Sequence, residues 1–115
     1  MDTLLSSQIS STPFDGVSDA THAARALHDA EAFTTLYRRY ALDVYRYCYR
    51  RLRNRESAED ATSQIFINAY AGLPRLGDKP FRPWLFAIAH NVVIDVYRAH
   101  RPFFSLDDTF DQAAD

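Results

Sequence analysis

The 115-residue chain has three glycines and one cysteine, and each scarcity excludes something. So few glycines leave little from which to build the tight turns of a β-hairpin protein, and the apolar residues recur at helical rather than alternating spacing. The expectation is an all-α fold. A single cysteine, Cys48, rules out an intramolecular disulfide, and no Cys/His cluster has the spacing of a zinc site. Cys48 falls on an apolar stripe and reads as a packed thiol in a reducing compartment. No apolar run approaches the ~20 residues of a membrane span. The amino terminus lacks the basic region and apolar segment of a signal peptide. A cytoplasmic protein without membrane insertion is expected. The acidic residues and scattered histidines form no acid–base pair, triad, metal set or phosphate-cradling glycine loop. No enzyme activity, cofactor or small-molecule substrate is therefore expected.

The net charge of −2 hides an asymmetry. Residues 31–101 carry 12 Lys+Arg against 7 Asp+Glu, residues 1–30 carry 1 against 4, and residues 102–115 carry 0 against 4. A basic body between acidic ends fits a nucleic-acid partner, with flanks able to compete for the same surface. At this length the chain holds one domain with a core adequate for independent stability.

Residues 1–17 are Ser/Thr-rich and without periodicity, and read as a disordered lead-in. Ser18 or Asp19 caps a short helix through Leu27, with Ala20, Ala23, Ala24 and Leu27 inward. Asp29 caps a long second helix, whose apolar line runs Phe33, Leu36, Tyr37, Tyr40, Val44, Tyr47, Cys48, Leu52. Seven arginines between 38 and 55 cover much of the rest. They read as solvated or paired along the helix, Arg39 with Asp43 for instance. Asn54 is a helix stop, and Ser57-Ala58-Glu59-Asp60 resembles a capping box. In the third helix Ala58, Ala61, Ile65, Phe66, Ala69, Tyr70 and Leu73 point inward. Asp60, Ser63, Gln64 and Asn68 project outward with the apolar Ile67 among them, the kind of defect that marks a partner surface. Gly72 and Pro74 end it, and Leu73–Lys79 form a loop.

The stretch from Gly77 to Arg101 organises the remainder. Prolines 80 and 83 suit a first helical turn, and the apolar positions 81, 84, 85, 88, 89, 92 and 96 form one stripe. The other face carries His90, Asn91, Asp95, Arg98, His100 and Arg101, and Arg101-Pro102 stops the helix. Flat side chains beside cations suit a single-strand binder. On its own the stretch fits a core helix with a solvated face better than a binding site.

Three segments taken together resemble one family: Glu31-Ala32-Phe33-Thr34-Thr35-Leu36-Tyr37-Arg38-Arg39-Tyr40, then Ala58-Glu59-Asp60-Ala61-Thr62-Ser63-Gln64-Ile65-Phe66, then Phe81-Arg82-Pro83-Trp84-Leu85-Phe86-Ala87-Ile88-Ala89-His90-Asn91. In order and spacing they are similar to region two of the bacterial sigma-70 family, in its extracytoplasmic-function subfamily. The resemblance implies a compact bundle of about four helices over residues 18–102, followed at 103–115 by the start of an acidic interdomain linker. On the resemblance, the carboxyl-terminal domain that reads the minus-thirty-five element in such proteins would lie outside these residues.

The resemblance also implies a transcription initiation factor. It would bind the beta-prime clamp helices of core RNA polymerase and melt the promoter minus-ten element by capturing bases of the non-template strand. An anti-sigma factor would be a further partner. Carried over residue by residue, the clamp-facing set is Asp60, Ser63, Gln64, Ile67 and Asn68. Here the chain departs from the family's Asp-Leu-Thr-Gln-Glu by reading Asp60-Ala61-Thr62-Ser63-Gln64, which removes a carboxylate and with it a charge-assisted hydrogen bond. The DNA-facing set is Arg75, Asp78, Lys79, Arg82, Trp84, His90, Asn91, Asp95, Arg98, His100 and Arg101. The loop Pro74-Arg75-Leu76-Gly77-Asp78 is one residue shorter than the family's and lacks its aromatic, so which base it captures stays open. Trp84 fits core packing as well as strand melting, and Asn91 fits base reading or a solvated amide. The departures leave an alternative reading, a helical module that binds a protein partner without productive promoter recognition.

Overall fold

The computed structural model describes residues 17–99. The expected lead-in (Val17 apart), the helix end with His100 and Arg101, and the linker at 103–115 lie outside the described residues. Within them the chain is all-α: α1 (Asp19–Ala26), α2 (Ala30–Leu52), α3 (Arg55–Gly72), a 3₁₀ turn (Leu73–Arg75) and α4 (Phe81–Ala99).

Local chemistry sets the boundaries. The Ser18 side chain accepts from the Thr21 N–H, and the Asp29 carboxylate accepts from the Glu31 N–H at 3.0 Å, each satisfying a donor of the first turn. Arg53 ends α2 in the left-handed conformation, φ 55°, with its N–H on the Tyr49 carbonyl. Asn54, expected as the stop of α2, instead caps α3, its side-chain oxygen 2.8 Å from the Ser57 N–H. The cap thus falls three residues before the expected Ser57, and only two residues separate α2 from α3.

Helix α2 touches all three others, and α3 packs on both α2 and α4. Leu36, Val44, Cys48 and Leu52 of α2, Ala58, Ala61, Ile65 and Ala69 of α3, and Leu85, Ala89 and Val93 of α4 are the heart of the core. Three alanines on α3 let its backbone approach closely, and Thr62 returns its hydroxyl to the Ala58 carbonyl at 2.8 Å. Burial pushes the Cys48 thiol up to about 11, so it stays protonated and packs as a small apolar residue.

Helix α1 is rotated from expectation. His22, Ala23 and Ala26 are buried, whereas Ala20, Ala24 and Leu27 are exposed. The Asp19 carboxylate fixes this rotation: it accepts from the Arg39 guanidinium at 2.7 Å and from the Tyr40 hydroxyl. Arg39 is therefore a buried residue paired with Asp19, not a solvated one paired with Asp43. Tyr37 and Tyr70, both expected inward, lie at the margin of the α2–α3 seam about half exposed. In α4 the buried set is Phe81, Leu85, Ala89, Val92, Val93 and Tyr97, with Trp84, Ile88 and Val96 half-buried. The small rotation leaves Trp84 and Ile88 at the rim rather than in the core.

Candidate nucleic-acid interface

The outward face of α3 is polar. Asp60, Ser63, Gln64, Ile67 and Asn68 are all exposed, Ile67 at 59%. The opposite flank holds α3 in that orientation: Phe66 meets Tyr37 edge-on at 4.8 Å and Phe33 at 6.3 Å, and Phe33 also meets Tyr70 at 5.1 Å. On the outward face the Gln64 amide donates to Asn68 at 2.8 Å, pre-ordering two side chains. Arg55 and Glu59 form an exposed pair at 3.2 Å near the start of the helix; such pairs contribute little to stability.

After Gly72 the chain turns through Leu73–Arg75, buries Leu76, and reverses at Gly77, whose φ of 59° suits glycine. Lys79, itself exposed, ties the loop back on itself. Its ammonium donates to the Arg75 carbonyl at 2.9 Å and the Leu76 carbonyl at 3.3 Å. Arg75 and Asp78 are left exposed.

Between the end of α3, this loop and the outer flank of α4 lies a cleft of about 400 Å³, lined by Asn68, Ala71, Gly72, Arg75, Trp84, Ile88, Asn91, Val92 and Asp95. Gly72 makes room for the indole: a Cβ there would stand 3.3 Å from Trp84 Cζ2. Phe81 buttresses the indole at 5.9 Å between ring centres. The cleft therefore offers an aromatic surface, an amide able to donate and accept, a guanidinium and a carboxylate, with an apolar floor of Ile88 and Val92. These groups suit an unpaired base, stacked on its face and hydrogen-bonded at its edge. An Asn amide matches adenine, and an Asp carboxylate can accept from the cytosine amino group.

Of the expected DNA-facing set, Arg75, Trp84, Asn91 and Asp95 thus come together, and Asn68 joins them from the clamp-facing set. Arg98 is exposed further along α4. Arg82 and His90 lie on the other flank of α4. The Arg82 guanidinium sits 4.8 Å over Phe86, and His90 Nδ1 is 3.4 Å from the Tyr47 hydroxyl. Asp78 and Lys79 belong to the loop, and His100 and Arg101 lie outside the described residues. Sequence reasoning missed a second groove on the Arg82–Phe86 flank of α4, of about 520 Å³, lined by Asp43, Arg46, Tyr47, Arg50, Arg82 and Phe86. The signal was present as the three- and four-residue steps 43–46–50 on α2 and 82–86 on α4. Among the described residues no group of three His, Cys, Asp or Glu side chains could hold a metal, and no helix is long and apolar enough to cross a membrane.

A family model described as Sigma-70 region 2 matches residues 36–103. The chain is similar to the ECF RNA polymerase sigma factor SigW of Bacillus subtilis, 36% identical over 80 residues that make up 69% of this chain and 43% of that protein. It is likewise similar to the ECF RNA polymerase sigma factor BldN of Streptomyces coelicolor, 38% identical over 92 residues, or 76% of this chain and 33% of that one. For the ECF RNA polymerase sigma factor SigM of Bacillus subtilis the figures are 32% over 73 residues, 64% and 45%. The chain spans less than half the length of each of these relatives. No solved structure gives a significant match.

Proposed function

The chain belongs to the sigma-70 family, in its extracytoplasmic-function group, through a region 2 domain that takes in more than half of its residues, and we propose that it acts as a transcription initiation factor. In this reading the exposed face Asp60–Asn68 of α3 docks on the clamp helices of core RNA polymerase in the cytoplasm. The adjoining cleft captures a base of the minus-ten non-template strand. The observation that carries the proposal is the meeting of Arg75, Trp84, Asn91 and Asp95 in one open cleft beside the polar face of α3. Docking and base capture then occur on neighbouring surfaces joined at Asn68. An anti-sigma factor would act by covering one or both.

The mechanism needs no bond chemistry. Extruding a base costs a few kcal/mol, offset by stacking on Trp84 and by edge contacts from Asn91 and Asp95. Arg75 at the mouth supplies a cation for the strand's phosphates. Once one base is held, the duplex cannot close over it.

Two measurements test this. The chain should be retained on core polymerase, and Asp60→Ala should weaken that retention. On fluorescent minus-ten single strands, Asn91→Ala should flatten the differences among single-base variants while leaving the salt dependence nearly unchanged. Equal loss on every sequence would reduce Asn91 to a positioning contact. No retention on polymerase by the unaltered chain would favour the protein-interaction module. The missing carboxylate at Ser63-Gln64 and the exposed Tyr37, Ile67 and Tyr70 are the features that would support that second reading.

A further inference from the structure

Helix α2 leaves one face without a neighbour. Opposite its buried residues Leu36, Val44 and Cys48, the side chains of Leu42, Tyr45 and Tyr49 recur at three- and four-residue steps and form an outer stripe. Leu42 is 57% exposed and Tyr49 45%, with Tyr45 half-buried between them. The Tyr45 and Tyr49 rings stack at 6.1 Å, and with Arg46 and Arg50 they line a depression of about 340 Å³. By helical period Arg46 and Arg50 stand along one side of the stripe, and Arg38 and Arg53 beyond its two ends. All four are exposed, and none is paired with a carboxylate among the described residues. An apolar stripe bordered by unpaired cations is a docking surface for an acidic amphipathic segment.

We propose that residues 103–115 of this same chain fold back onto that face as an amphipathic helix. They lie outside the described residues, and their sequence carries four carboxylates and no Lys or Arg. Phe103, Leu106 and Phe110 repeat the three- and four-residue steps of the α2 stripe, so both sets span the same length of helix. Contacts between α2 and α4 run from Tyr40–Phe81 to Tyr47 with Phe86 and His90. The two helices therefore run in the same sense, and α4 leaves toward the end of α2 that Arg53 closes. A segment turning back from there lies antiparallel to α2, with Phe103 at Tyr49 and Phe110 at Leu42. Asp107 and Asp111 fall on the same side of their stripe as Arg46 and Arg50 of theirs, and antiparallel packing brings those two sides together. The four residues from Ala99 to Phe103 reach about 13 Å when extended, comparable with the 10–12 Å or so across a helix. A second copy docked by the same face would set arginines against arginines. A nucleic-acid strand would leave Leu42 without a partner. The contact is independent of polymerase and promoter binding.

A nitroxide on Gln112→Cys of the full chain tests it, since Gln112 falls on the side of the segment away from its stripe and Cys48 is buried. Amide signals of Arg38, Leu42 and Tyr45 should lose most of their intensity, and those of Gln64 and Asn68 across the bundle far less. Asp107→Asn with Asp111→Asn should restore the lost intensity, as should Leu42→Ser with Tyr49→Ser, which changes only exposed positions. Higher salt should act in the same direction as the Asn pair. Broadening that is absent, or spread evenly over all faces, overturns the docking. Equal broadening when the spin-labelled chain is mixed with isotope-labelled wild type places the segment on a second copy and overturns the fold-back.

Discussion

The Asp19–Arg39 pair is the contact on which the docking of α1 depends, and Asp19→Ala isolates it. The Arg39 side chain is 5% exposed and that of Asp19 24%. Removing the carboxylate takes its 2.7 Å partner from a buried guanidinium, and breaking a buried pair costs about 3–5 kcal/mol. The partial exposure of Asp19 places the pair at the lower end, about 3 kcal/mol. The Tyr40 hydroxyl loses its acceptor in the same substitution, adding about 1 kcal/mol. Against a stability of roughly 0.05–0.15 kcal/mol per residue, the loss is a large fraction of what holds the domain together. At about 4–8 °C per kcal/mol for a domain of this size, a total of about 4 kcal/mol should lower the melting temperature by about 16 °C or more. Urea and thermal unfolding followed by circular dichroism measure this directly. Arg39→Met added to Asp19→Ala should recover part of the loss, because the buried charge is then removed together with its lost partner. A cost below about 1 kcal/mol for Asp19→Ala would show the pair to be no more than an exposed one.

Burial, and then the neighbouring Asp19, push the Tyr40 phenol up to about 12 from its ordinary 10. A raised acid binds its proton more tightly when folded, so this contribution is complete below pH 10 and is lost as pH rises from 10 through 12. Tyr40→Phe should therefore lose less stability than the wild type over that window, and parallel alkaline unfolding curves would contradict it. With Cys48 buried and its thiol pushed up to about 11, a thiol reagent at mild alkaline pH should label the chain only as fast as it opens. Labelling at the rate of a free thiol would place Cys48 at the surface.

Much of this was written locally. The outward face of α3 was legible because Asp60, Ser63, Gln64, Ile67 and Asn68 fall at helical steps against a clean apolar stripe, and Asp29 announced its cap by residue type. The rotation of α1 was not legible. Its alanines give almost no contrast between faces, and the deciding contact joins Asp19 to residues some twenty positions on. Asn54 was recognised as a boundary but given to the wrong helix, since the left-handed turn at Arg53 carries no glycine to mark it. Of the residues that line the cleft, the family pattern had named Arg75, Trp84, Asn91 and Asp95. Their assembly with Asn68 and Gly72 required the packing of α3 on α4. The second groove escaped because its arginines, read along α2 alone, look like an ordinary solvated face.

The central claim is that the cleft beside α3 receives an unpaired base, and the chain's single tryptophan lines that cleft. Trp84 fluorescence, titrated with a minus-ten non-template single strand while anisotropy of a label on the strand reports binding, tests the claim most directly. Capture of a base beside Trp84 should give a saturable change in its emission whose midpoint coincides with the anisotropy curve and which a strand abasic at the captured position fails to produce. Full binding by anisotropy with unchanged Trp84 emission would contradict it.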